Sequence, residues 1–233
     1  MKKIVVLSCL SLLLSCQSIR QFNEELSQPV SVEKLHSDVD FSYKKLKQLH
    51  PKLYWYISKE KLHFKFDSIK KSIKNPMTGL AFYKELSQVV KTIGQGHLGI
   101  SPSLEKLSKK EQKLLKKKGK SAFSQFDFEF IDNKLIILKN RSRHDIKENT
   151  EVISVNNERP SDLISIYKNR ISSDGYNQTF YNQYLGKYFG VFYNLDLAEN
   201  YIKQVYTNRR FLTPMTRWAG GFTLLQNSHR DSV

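Results

Sequence analysis

The run Gly94-Gln95-Gly96-His97-Leu98-Gly99 gathers the residues best placed to do chemistry. Glycine on both sides of an imidazole lets a backbone or a substrate come close. His97 is therefore the histidine to single out. The structural alternative is a turn histidine bonded to a carbonyl. The literal G-x-G-x-x-G spacing does not make a dinucleotide site. Such a site needs a strand before it and a helix after it, so that a pyrophosphate meets a helix N-terminus. Here a helical pattern precedes, and a short apolar strand, Leu98-Gly99-Ile100, is expected to follow. The six histidines are scattered and no H-E-x-x-H occurs, so neither a metal nor a cofactor is expected. Without a G-x-S-x-G there is no nucleophile elbow. His50, set before Pro51, is expected to shape a helix end rather than to react.

Cys16 is the second reactive candidate, and here the chemistry is modification. Met1-Lys2-Lys3 is a short positive stretch, Ile4 to Leu14 is apolar, and Ser15-Cys16 follows. A charged region, an apolar region and a small residue at the cut make a signal peptide. The apolar run is too short to cross a bilayer, which takes about 20 residues. Leu13-Leu14-Ser15-Cys16 resembles the lipobox of bacterial lipoproteins, which implies acylation of the Cys16 thiol. The alternative is a plain signal peptide that happens to hold a cysteine. The other cysteine, Cys9, lies in the segment to be removed, so neither a disulfide nor a cysteine metal site is expected. The anticipated location is the bacterial cell envelope, with membrane lipid as partner through Cys16.

The net charge of the 233 residues is +16, or +14 once Lys2 and Lys3 are removed. Such an excess can mark nucleic-acid or anionic-membrane binding. The basic residues are spread, however, with their densest cluster at Lys109-Lys110 and Lys116-Lys117-Lys118. Export argues against nucleic acid, and a solvated lysine-rich helix face near anionic lipid is expected instead.

Elements that would carry these residues follow from periodicity and stop signals. Residues 16–30 are polar and lack periodicity, as in a tether. Ser31 can cap a helix with Val32, Leu35, Val39, Leu46 and Leu49 on one face, stopping at His50-Pro51. Ser58 opens a second, bearing Leu62, Phe66, Ile69 and Ile73. A third starts at Thr78, with Phe82, Leu86, Val89, Val90 and Ile93 inward, and Gly94 ends it. Ser108-Lys109-Lys110-Glu111 is a capping-box pattern and Gly119 a natural stop. Residues 31–119 thus form a small helical bundle. Phe126, Phe128 and Phe130 then alternate with polar residues, the two-residue period of a strand. Asp132-Asn133 suits a turn, Leu135 to Leu138 a returning strand, and Glu151 to Val155 another, closed by Asn156-Asn157. Pro160 sits at the first turn of a helix with Leu163, Ile164, Tyr167 and Ile171. The fold class is α+β, with residues 120–175 as the small α/β unit. Residues 176–208 are dense in aromatics and call for a large partner surface. Nothing in 209–233 looks like a closing core element.

Taken together, several of these segments resemble one family. Asp40-Phe41 through His50-Pro51-Lys52-Leu53-Tyr54-Trp55-Tyr56, then Phe82-Tyr83-Lys84-Glu85-Leu86, then Ile93-Gly94-Gln95-Gly96-His97, is similar to the N-terminal region of tail-specific (C-terminal processing) serine peptidases, a family that includes tricorn protease. Gln95 stands where its members often have aspartate, and Leu98 where they have threonine. Asn149 to Asn157 resembles part of their PDZ-like domain. The resemblance spans roughly residues 32 to 208.

It implies that residues 120–175 are PDZ-like, and that His97 matches the catalytic histidine of the tricorn-like branch. Gly96 replaces the serine that precedes that histidine there. The family's serine nucleophile lies beyond the PDZ-like part, in a further α/β domain that stabilises an oxyanion with backbone amides. No such domain is evident before Val233, and Gly220-Gly221 is followed by Phe222. The expectation is a truncated or frame-shifted lipoprotein without proteolytic activity by itself. Two other readings stand beside it: a PDZ-like module holding peptides or unfolded protein C-termini at a sheet edge, and an active serine hydrolase using His97.

Overall fold

The computed structural model describes residues 18–118 and 123–197 and the backbone of 222–225. The expected signal peptide, Cys16, Gly119, residues 198–208 and most of the 209–233 tail lie outside the described residues. Five helices come first: α1 (Ile19–Ser27), α2 (Val32–Leu49), α3 (Lys59–Ser72), α4 (Gly79–Lys91) and α5 (Lys109–Lys118). Three strands follow, β1 (Phe126–Ile131), β2 (Lys134–Asn140) and β3 (Thr150–Val155), then α6 (Pro160–Lys168), α7 (Thr179–Lys187), a helical stretch at 189–197, and β4 (Phe222–Leu225). The architecture is mixed helix and antiparallel sheet, an α+β arrangement with strand order β1-β2-β3-β4.

The helix starts obey local chemistry. Ser31, Ser58 and Thr78 each accept, through the side-chain oxygen, the N–H three residues on, from Lys34, Lys61 and Ala81. At the other end of α2 the His50 N–H caps the helix by donating to the Leu46 carbonyl. Ser108 and Glu111 exchange the reciprocal bonds of a capping box at 3.3 and 2.7 Å. The apolar faces of α2, α3 and α4 meet in one core, in which Leu62 and Ile93 are fully buried and Leu53 and Ile57 of the aromatic link fill the end.

In the sheet the alternation seen in β1 becomes burial, with Phe126, Phe128 and Phe130 inward. Asp132 and Asn133 both take positive φ, 49° and 62°, the two-residue turn whose twist suits a hairpin. Asn156 and Asn157 do the same at 50° and 69°, returning β3 to Glu158 just before Pro160 opens α6.

Four expectations are corrected. Residues 19–27, expected to be part of a featureless tether, are helical. Ser18 caps the Gln21 N–H, and Arg20–Glu24 and Gln21–Glu25 pair one turn apart, local bonds that hydrophobic periodicity does not reveal. Residues 98–100 form no strand, and Leu98 and Ile100 pack as irregular chain against the helical core. The aromatic segment, through residue 197, turns most of its rings inward, although Tyr176 is exposed. Tyr181, Leu185, Phe189, Phe192 and Tyr193 are buried against β1 and α6, with Phe123 and Tyr193 rings 5.3 Å apart and Tyr167 and Phe192 stacked at 5.4 Å. Finally, residues 222–225 of the supposedly unpatterned tail pair antiparallel with β3.

Candidate functional site

The Gly-x-Gly-His run is a turn locked at the end of α4. Ile93 is fully buried and plugs the helical core, so the chain must leave α4 sharply. Gly94 makes that exit at φ +68°, a conformation that L side chains rarely adopt. A second turn, Asp174-Gly175, meets the first across 78 residues of sequence. Asp174 Oδ1 accepts the Gly96 N–H at 2.7 Å, and the Gly175 N–H donates to the Gly94 carbonyl at 2.8 Å. The Tyr56 ring lies over both glycines. A Cβ at Gly175 would stand 2.9 Å from it, and one at Gly94 would meet the Tyr56 Cβ at 3.2 Å. The Gln95 amide donates to the Lys52 carbonyl just past Pro51, which ties the His-Pro corner to the same clasp.

His97 stands at the tip of this turn and is exposed. No hydrogen bond or ion pair joins it to another described residue, so the turn-histidine alternative, a ring bonded to a carbonyl, is not what this structure has. His50, by contrast, has its Nδ1 buried without a partner among the described residues. The structure brings together His97, the Tyr56 link and the Asp174-Gly175 turn. Cys16 lies outside the described residues.

Next to the clasp is a cavity of about 270 Å³ walled by Tyr56, Gly94, Gly175 and Tyr181, with Lys91 and Lys168 at its side. Both ammoniums face the Tyr181 ring, at 5.8 and 5.0 Å from its centroid. Burial, and then the like charge of Lys168, holds the Lys91 amine below the usual lysine range. Lys91 donates to Asn169 Oδ1 at 3.1 Å. Such a pocket can attract a small anion of carboxylate or phosphate type. A larger cavity, about 740 Å³, separates α4 from α6. At its edge Asp196 accepts from Lys84 at 2.6 Å and from Arg170 at 2.8 Å, bridging the helical layer to the sheet unit.

Asp174, Gly175, Lys91, Lys168 and Tyr56 were not anticipated as neighbours of the Gly94–Gly96 turn. An Asp-Gly dipeptide does signal a turn. Nothing local says which distant turn it will clasp. Among the described residues there is no group of three His, Cys, Asp or Glu that could hold a metal ion, and no helix long and apolar enough to cross a membrane. Compared with known proteins, the chain matches no family model, no curated protein and no solved structure.

Proposed function

We propose that this chain is an envelope lipoprotein, anchored through Cys16, that holds extended peptides and is of the tail-specific peptidase type without cutting them on its own. One observation carries the reading. The outer edge of β3 takes up β4, a four-residue stretch from 67 positions further along, in antiparallel register from Glu151↔Leu225 to Val155↔Phe222. An edge that accepts a remote segment of its own chain can accept a peptide in the same way, with backbone bonds giving affinity. The hairpin, the Asn156-Asn157 turn and the helix after it support a PDZ-like identity for this unit. The clasped, exposed His97 supports the family resemblance, and no described hydroxyl is hydrogen-bonded to it.

The test is calorimetric titration of the full mature chain with peptides ending in a free carboxylate, alongside a Leu224→Pro variant. Proline removes an N–H from β4 and weakens its hold on the edge. Saturable binding, tighter in the variant, is expected. No saturable binding by either form overturns the reading. The anchor is checked separately, by the mass of the N-terminal fragment, which should carry acyl chains on Cys16.

A further inference from the structure

Helix α1 is fastened to a distant part of the chain. The Asn23 side chain donates to the Lys106 carbonyl and accepts from the Lys106 N–H, both at 2.9 Å and across 83 residues. The Lys106 ammonium in turn stands 3.9 Å from the centre of the Phe22 ring. Lys106 lies just before the capping box that starts α5, and Gln112 Nε2 donates back to the Leu107 carbonyl at 2.9 Å. So α1 fixes the start and direction of α5.

The surface thus assembled is lysine-rich and greasy. Lys109, Lys110, Lys113 and Lys116 of α5 are all exposed, while the single acid of that helix, Glu111, is committed to the cap. Beside them Leu104, Leu107 and Leu114 are 57, 43 and 48% exposed, and Ile19 of α1 is 41% exposed. Of the neighbouring acids, Glu24 is paired with Arg20, while Glu25, bonded to the neutral Gln21 amide, and Glu105 keep their charge and are outnumbered by the lysines. Exposed leucines among ammonium groups are the composition of a surface that lies on lipid, where apolar side chains enter the headgroup boundary and cations meet phosphate. Position agrees with composition. Cys16 is two residues ahead of the Ser18 cap, a reach of at most about 7 Å. From Ser18 to Asn23 the helix rises roughly 7.5 Å.

We propose that α1, the 104–107 loop and α5 form a membrane-contact face for anionic phospholipid headgroups, which seats the fold on the bilayer in one orientation. Its nearness to the bilayer rests on the lipoprotein reading, but its charge and apolar surface act without an acyl chain. The experiment therefore uses the full mature chain with Cys16→Ser, cosedimented with vesicles of phosphatidylcholine alone or mixed with phosphatidylglycerol. Binding to the mixed vesicles only, weakening as salt is raised, is expected. Changing Lys109, Lys110, Lys113 and Lys116 together to Gln should weaken it roughly tenfold or more. The four are exposed, and an unchanged circular dichroism spectrum will show that the variant is folded. Equal binding to both vesicle types, binding to neither, or a Gln variant that binds like the parent overturns the proposal. A Cys16 found without acyl chains would sink the anchor and leave this vesicle result standing.

Discussion

Gly186 offers a direct test of how the aromatic segment is seated. It lies near the end of α7, where that helix presses on β1. A Cβ added there would stand 2.6 Å from the Glu129 Cα, and 2.9 Å from both the Glu129 carbonyl carbon and the Phe128 oxygen. All three are backbone atoms of a strand held by its hairpin partner, with Phe128 and Glu129 paired to Ile137 and Ile136. They cannot swing aside as a flexible side chain could. Gly186→Ala therefore sets two effects against each other. Helix propensity favours alanine by at most about 1 kcal/mol. Overpacking costs about 1–3 kcal/mol, and a clash with fixed backbone belongs at the upper end. The clash wins, and a net loss of about 2 kcal/mol is expected. For a chain of this size that lowers the melting temperature by roughly 4–8 °C. Gly79→Ala is the control. Nothing lies within 4 Å of a Cβ at that position, the first of α4, so the same change should leave stability unaltered or raise it by up to about 1 kcal/mol. Thermal and urea unfolding followed by circular dichroism reads both. A Gly186→Ala protein as stable as its parent, or the two variants shifting alike, refutes the packing of α7 on β1 described here.

Other consequences follow from burial and pairing. Removing Asp196 as Asp196→Ala strands Arg170, whose side chain is 8% exposed, beside Lys84, and should cost about 2–3 kcal/mol in urea unfolding. Burial raises the phenols of Tyr43, Tyr83, Tyr167, Tyr181, Tyr184 and Tyr193, Tyr43 up to about 12. An unfolded chain sheds these protons near pH 10 while the fold keeps them, so stability should hold below about pH 10 and fall as pH climbs toward 12 in a denaturation series. Tyr167→Phe removes a buried hydroxyl that has no partner among the described residues, and should raise stability by about 1 kcal/mol while making that alkaline loss shallower. Asp174→Ala should speed hydrogen exchange at the Gly96 amide, measured by NMR, whereas Asp174→Asn, which keeps an acceptor, should change it less.

Much of the fold was legible because the signals are local. Ser31, Ser58, Thr78 and Ser108 cap helices through bonds spanning three residues, and a reader of sequence can count to three. The same holds for the Phe126-Phe128-Phe130 alternation and the two asparagine-containing turns. What escaped is long-range. Leu98 and Ile100 look like a strand, but no described strand pairs with them and they settle on the helical core instead. Tyr181, Phe189 and Tyr193 look like an interface because aromatic density says only that a large apolar surface must cover them. It cannot say that the surface is β1 of the same chain. At the site, His97 was found by its glycines, while Asp174 was hidden, since a carboxylate 78 residues away leaves no mark on the turn that it holds.

That difference bears on how His97 should be tested. A free imidazole at the tip of a flexible loop would have no fixed direction, and losing it would say little about function. Here the loop is held at three points, by Asp174 on the Gly96 N–H, by the Gly175 N–H on the Gly94 carbonyl, and by Gln95 on the Lys52 carbonyl. The ring itself is bonded to no described residue. A rigid mount with an unengaged imidazole is what a group awaiting a partner requires, because the conformational cost has been met before the partner arrives. The full chain treated with a serine-reactive fluorophosphonate should stay unlabelled, in keeping with a peptide-holding role. Labelling that disappears in a His97→Ala variant, with the fold intact by circular dichroism, would mean that the partner hydroxyl is already in this chain and that it is a hydrolase after all.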